Sequence, residues 1–327
     1  MNFEFRALSS QNENLHPINA LSYCDEATSI CSISDDGAMK KWDAGKCTNH
    51  RGTENLSAEM SHFESVGTCM DWLPNFAQRN PKLLVVGFSD GSLRYFDGEM
   101  KPIEKIEAHE GATIKVKFCN DGSALCSCGE DGFVKVWSKS GSFRTNLYQS
   151  SASIYAFSCS PDNEKIVVGD ESSIVLLPLQ GGKKRETISA HKGKITCLSW
   201  NKKNGLIASG SEDKTFAIFD ETLQQIFRVS DKCLKFQVTS LEWSKNGEYL
   251  AVGSFEIVSV FDKFGLLIRS ESLVRKGSVF AIDWANDSKQ FAFGCGNGQI
   301  FIADSVGKKI AKGKFEAYLE SRNKIVL

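Results

Sequence analysis

The feature that most restricts what this chain can fold into is internal repetition: one unit of about 42 residues recurs along its whole length. Each unit ends in an aromatic residue followed by Asp, or a variant of that pair. The ends fall at Trp42-Asp43, Phe96-Asp97, Trp137-Ser138, Pro178-Leu179, Phe219-Asp220, Phe261-Asp262 and Ala303-Asp304, separated by 54, 41, 41, 41, 42 and 42 residues. The unit from Ala108 to Gly141 shows the internal pattern. Thr113 to Phe118 alternates as a half-buried strand does, Ala124 to Cys128 is a more continuous apolar run, and Phe133 to Trp137 alternates again. Asn120-Asp121-Gly122 and Glu130-Asp131-Gly132 turn the chain between them. Such a meander, with one apolar face, is not stable alone and needs neighbours.

Seven units of this length predict an all-β, seven-bladed β-propeller. The first strands align at Ile18, Thr68, Val116, Tyr155, Thr196, Thr239 and Phe280, and outer strands are expected at Phe143 to Leu147 and Leu266 to Arg269. A ring must be closed. Asn2 to Leu8 alternates and is expected to pair as the outer strand of the last blade, removing an exposed edge. Lys312 to Leu319 is the second candidate for that place. The domain reading is a propeller over 1–311, with 312–327 an extra strand or the start of a downstream region, so that Leu327 looks like a cut inside a longer protein. Ala44 to Ser65, which stretches the first interval, reads as a polar surface loop, and Gly181 to Arg185 as a basic linker.

The formal net charge is -1, from 39 Lys and Arg against 40 Asp and Glu. No global field draws the chain to nucleic acid or an anionic membrane. The N-terminus has no basic and apolar leader pattern, and no apolar run approaches the length of a bilayer crossing. The 11 cysteines follow no disulfide spacing and sit mostly in strand patterns. They read as small hydrophobes in a reducing compartment.

Searching for chemistry returns little. His50 and His62 lie with Glu54, Glu59 and Glu64 in the 44–65 segment, without metal-ligand spacing. Cys126 and Cys128 share a strand face, with no second pair to complete a tetrahedral site, and read as core. Gly294 to Gly298 joins two strands rather than opening a helix, so a hairpin explains it better than a phosphate loop. No nucleophile elbow, zincin or kinase signature occurs. No cofactor, no metal and no catalytic residue is assigned. A propeller hydrolase would need acidic or His residues converging on the central channel, and Ile114, Tyr155, Thr196, Thr239 and Phe280 offer none.

The chain resembles the WD40 repeat family, whose fold is a β-propeller. His109, Ser127, Asp131 and Trp137 match that family's polar network in the third unit. In the fifth, His191, Ser209 and Asp213 match, with Phe219 in place of Trp; the first offers His16, Ser32, Asp36 and Trp42. A buried Asp at the inner turn needs donors, which His, Ser and indole N–H supply. The other units lack the His and must rest on packing and turn chemistry. The Trp-Asp-x-Arg of many ubiquitin-ligase receptors is missing from all seven. By the family's pattern the docking face would carry Ile114, Glu130, Tyr155, Lys194, Thr196, Glu212 and Phe280. Tyr155 and Phe280 beside Lys194 suit a hot-spot cluster, or else plug the channel.

The irregular units carry a closer likeness. Leu176-Leu177-Pro178-Leu179-Gln180, Gly129 to Gly141, Ala251-Val252-Gly253-Ser254-Phe255, Phe261 to Gly265, Gly277 to Trp284 and Gly294 to Gly298 occur in that order. The series is similar to the first propeller of a two-propeller subunit family of intraflagellar transport complex B (IFT-B). The resemblance implies a non-enzymatic scaffold for cilium assembly, located in the cilium and at its base. Its partners would be other complex B subunits, one of them through a calponin-homology domain. Dimerisation in that family runs through later regions. A generic WD40 adaptor, such as a coat or ubiquitin-ligase receptor, is the alternative.

Overall fold

The computed structural model describes residues 2–9, 16–24, 29–44, 56–60, 63–74, 82–182, 184–229 and 234–306. They form seven four-stranded antiparallel sheets, with no helix among the described residues. In six blades the strands pair in chain order, as hairpins, and in blade seven the first strand of the chain takes the fourth place. The innermost strands are Ile18–Tyr23, Gly67–Trp72, Thr113–Phe118, Ala156–Cys159, Ile195–Trp200, Val238–Trp243 and Val279–Trp284. Adjacent innermost strands lie side by side, and the one in blade seven meets the one in blade one. The arrangement is a seven-bladed propeller.

Asn2–Ala7 is the fourth strand of blade seven, running antiparallel to Ile300–Val306 from the Asn2↔Val306 pair to Ala7↔Phe301. Alternation along the strand sends Phe3 inward, where it meets Tyr249, Trp284 and Phe291 edge-on at 5.7, 6.0 and 5.9 Å. Arg6 pairs with Asp304 at 2.6 Å. The beginning of the chain thus closes the ring, and the rival segment, Lys312 to Leu319, lies outside the described residues.

The expectation of a continuous loop over 44–65 is corrected. Leu56–Met60 is the outer strand of blade one, pairing with Met39–Asp43. Its central residues are exposed, because an outer strand has one sheet neighbour and solvent on its flank, so it lacks the apolar alternation that marks an inner strand. Phe63 follows and packs edge-on against Phe88 and Phe96 at 5.2 and 5.7 Å. His50, Glu54 and His62 lie outside the described residues, as does Lys183 of the basic linker.

The cores lie between blades rather than within them. Val134 and Val136 of blade three pack with Phe157, Ile166 and Val175 of blade four. Trp42 and Ile30 of blade one pack with Ile300 and Ile302 of blade seven, and Leu8 joins them. Close approach needs small residues at the contact. A Cβ on Gly294 of blade seven would stand 2.5 Å from Cγ2 of Ile18 in blade one, so glycine is required where the first blade docks on the last.

Candidate docking face and central channel

The site begins with a repeated irregularity. In six blades the pairing of the innermost strand with the second slips by one residue at its start. The slips lie between Ile18 and Ala20, Gly67 and Cys69, Thr113 and Lys115, Ile195 and Cys197, Val238 and Ser240, and Val279 and Ala281. A bulge of this kind turns the extra side chain out of the ladder. The extra residues are Asn19, Thr68, Ile114, Thr196, Thr239 and Phe280, and they line the channel with Tyr155 of blade four.

Where that residue is polar, it ties two blades together. Asn19 Nδ2 donates to Gly67 O at 3.1 Å. Thr68 Oγ1 donates to Gly87 O at 3.0 Å and also to Thr113 O. Thr196 Oγ1 donates to Val238 O at 2.7 Å, and Thr239 Oγ1 to Val279 O at 2.6 Å. In blades three, four and seven the position holds Ile114, Tyr155 and Phe280, which make no such tie. Tyr155 and Phe280 are 41% and 44% exposed while also lining the channel.

The structure places the seven expected face residues as follows. Lys194 is exposed, with its Nζ 5.7 Å from the centre of the Tyr155 ring. Glu130 and Glu212 are exposed on inner turns, their backbone N–H groups donating to Ala112 O and Lys194 O at 3.0 Å each. Glu130 Oε2 also accepts from Ala112 N at 3.0 Å. Ile114 and Thr196 are half-buried, and the Thr196 hydroxyl is taken up by its bond between blades. The face has an aromatic extension that was not anticipated. Phe236 and Phe255, each 40% exposed, meet edge-on at 5.1 Å. Phe255 bridges by its backbone to Ser278, two residues before Phe280. Its signal in the sequence was an aromatic at the turn position where blades three and five carry Glu130 and Glu212.

Deeper in, the channel of about 440 Å³ is charged. Three carboxylates reach it, Asp71, Glu242 and Asp283, which sequence reasoning missed because they lie three residues beyond the positions it considered. All three are engaged. Lys117 Nζ crosses from blade three to Glu242 of blade six at 3.5 Å, and Lys115 Nζ crosses to Leu198 O at 3.1 Å. Lys245 pairs with Asp283 at 3.1 Å. Asp283 also accepts from Tyr23 N at 2.9 Å, across the junction of blades seven and one. Asp71 accepts from Phe118 N at 2.7 Å, while burial, opposed by Lys117 and that bond, raises its pKa to about 6. These contacts span the channel and hold it as a braced plug.

The polar network varies from blade to blade. In blade three His109 Nδ1 lies 2.9 Å from Asp131, His109 Nε2 2.7 Å from Ser127 Oγ, and Trp137 Nε1 donates to the same Oγ at 2.9 Å. In blade five His191 bridges Asp213 and Ser209 at 3.1 and 2.7 Å, and Phe219 is buried in the place of the family's Trp. Burial lowers both histidine pKa values despite the carboxylate beside each. In blade one Trp42 donates to Ser32 Oγ at 2.8 Å and Asp36 caps its own turn, but His16 is exposed and stands outside the network. Blade two replaces the His with Arg94, which donates to Asp90 at 2.8 Å and stacks 4.1 Å above Phe88. Blade four supplies Asp170 with Tyr148 and Ser150 of blade three, at 2.7 and 2.6 Å.

Comparison with known proteins gives two family matches. Residues 100–138 match the WD domain, G-beta repeat, and residues 198–263 match the Anaphase-promoting complex subunit 4 WD40 domain. The chain is similar to the Intraflagellar transport protein 80 homologs of Mus musculus and Rattus norvegicus. Each is 32% identical over 300 residues, which is 90% of this chain and 38% of that protein. It is also similar to the U5 small nuclear ribonucleoprotein 40 kDa protein of Dictyostelium discoideum, 26% identical over 64% of this chain and 61% of that protein. The chain therefore spans well under half the length of the two intraflagellar transport relatives. Its seven four-stranded blades and the two matched stretches show a β-propeller that carries WD40 repeats.

Proposed function

We propose that this propeller is a docking module of intraflagellar transport, a non-enzymatic part of a complex B subunit that serves cilium assembly. The observation that carries this reading is the 32% identity extending over 90% of the chain to two Intraflagellar transport protein 80 homologs. The channel chemistry supports it, since each channel carboxylate is bound to a lysine or a backbone N–H. The partners are other complex B subunits, including one with a calponin-homology domain, and the place of work is the cilium and its base. The face built on Tyr155, Lys194 and Phe280, extended by Phe236 and Phe255, is the docking surface. A ring braced by bonds between blades holds these aromatics in place, so docking loses little entropy to ordering.

The test is co-purification of the chain with complex B subunits, one at a time. At least one subunit is expected to bind, and Lys194→Glu and Tyr155→Ala are each expected to weaken binding about tenfold, as loss of a hot-spot side chain does. Thermal midpoints should stay unchanged. Recovery of no complex B subunit favours the generic adaptor. Binding that survives both substitutions places the surface elsewhere on the ring.

A further inference from the structure

We infer that Cys119, Cys126 and Cys159 form a binding site for a soft d10 metal ion in three-coordinate thiolate geometry, the donor set that suits Cu(I). Nine described cysteines are free and buried, and among them one group of three has all its sulfur atoms within 4.8 Å of one another. The three come from separate segments: Cys119 directly follows Thr113–Phe118, Cys126 lies in Ala124–Gly129, and Cys159 ends Ala156–Cys159 of the next blade. The site therefore sits between blades three and four.

The surrounding backbone fixes that convergence. Asn120 N donates to Asn163 Oδ1 at 2.7 Å, and Asn120 Nδ2 donates to Ser160 O at 2.8 Å. These bonds join the turn after Cys119 to the turn after Cys159. Cys119 N is itself held by Ala124 O at 2.9 Å. Three sulfurs at about 2.3 Å from one centre stand about 4 Å apart, so closing on an ion shortens each separation by less than about 1 Å.

The donor set selects the metal. Thiolates favour Cu(I), Zn(II) and iron–sulfur clusters. Zn(II) takes four ligands, and no His, Asp or Glu joins the group among the described residues. Ala124, Val136, Ile166 and Leu177 belong to the same core cluster as the three cysteines. Binding is balanced without electron transfer: three S–H bonds give up protons to solvent, three metal–sulfur bonds form, and the copper stays Cu(I).

The test loads reduced, anaerobic protein with Cu(I) in competition with bathocuproine disulfonate, in a Cys47→Ser, Cys233→Ser background that removes the two cysteines outside the described residues. One tightly held Cu(I) per chain is expected, with a thiolate-to-copper charge-transfer band and a raised thermal midpoint. Cys119→Ala and Cys159→Ala should each weaken retention by more than the roughly 10–100-fold cost of losing an outer-shell partner. Cys128→Ala, which removes a buried thiol outside the group, should leave it intact. Circular dichroism of each variant separates lost ligation from lost folding. Retention indifferent to Cys119 and Cys159, or complete stripping by the chelator, overturns the site. Zn(II) held more tightly than Cu(I), with the same dependence on the three cysteines, overturns the three-coordinate assignment.

Discussion

At the residue scale, the ring is held by side chains whose types were visible in the sequence but whose partners were not. Thr196 and Thr239 were legible as the opening residues of innermost strands. A bulge then turned their hydroxyls onto the next blade's carbonyls, a job that alternation alone cannot reveal. His109 was legible with its partners because the family's network carries them together. His16 was misread because a His at the right spacing says nothing about whether its blade buries it. The two buried histidines make the protein sensitive to acid. Burial holds the pKa of His109 and His191 below the ordinary imidazole value of 6.5. Below pH 6.5 the unfolded chain takes up protons that the folded chain refuses. Their contribution is complete above that pH and is lost as pH falls toward the folded value. Asp71 has the opposite sign, because its raised pKa of about 6 favours the folded state as it protonates. Urea midpoints should therefore fall between pH 7.5 and 5.5 more steeply for the parent than for His109→Gln with His191→Gln. Parallel slopes would mean the imidazoles titrate as freely in the ring as in the unfolded chain.

At the scale of elements, inner strands were easier to read than outer ones. Ala124–Gly129 is buried along its whole length, so its sequence had to be apolar or small. Pro102–Glu107 is exposed at five of six positions, and any sequence able to extend would serve there. The missed strand Leu56–Met60 belongs to that second class. The thiol group between blades three and four was illegible for another reason. Cys159 is distant from Cys126 in sequence, and only the stacking of two blades brings them together. That stacking depends on glycine at the contacts. Gly294→Ala puts a methyl group 2.5 Å from Ile18 Cγ2 and should cost about 1–3 kcal/mol, the usual range for overpacking. If the clash is the cause, adding Ile18→Ala should cost less than the sum of the single changes in a denaturation cycle. Strict additivity would move the cause to the glycine's own backbone.

At the scale of the molecule, closure separates this ring from an open array of repeats. In an open array each unit contacts only its neighbours, and damage stays local. Here the first strand of the chain completes the last blade, and Asp283 of blade seven holds the Tyr23 backbone of blade one. Every blade thus has two neighbours, and each core is shared between two blades. The 41- and 42-residue spacing announced seven units, and the alternation of Asn2 to Leu8 announced the clasp. The charged braces across the channel did not show, because Lys117 and Glu242 belong to blades on opposite sides of the ring. Phe3 is 1% exposed and contacts Tyr249 of blade six as well as Trp284 and Phe291 of blade seven. Phe3→Ala should cost about 3–5 kcal/mol, as large-to-small core changes of this kind do. The loss should spread: hydrogen exchange should quicken in blades one, six and seven together, and unfolding should remain one transition at a lower midpoint. Faster exchange confined to Asn2–Ala7, with the global midpoint unmoved, would show that the remaining strands hold the ring without its clasp. Closure would then cover an edge, and the stability would reside in the contacts between neighbouring blades.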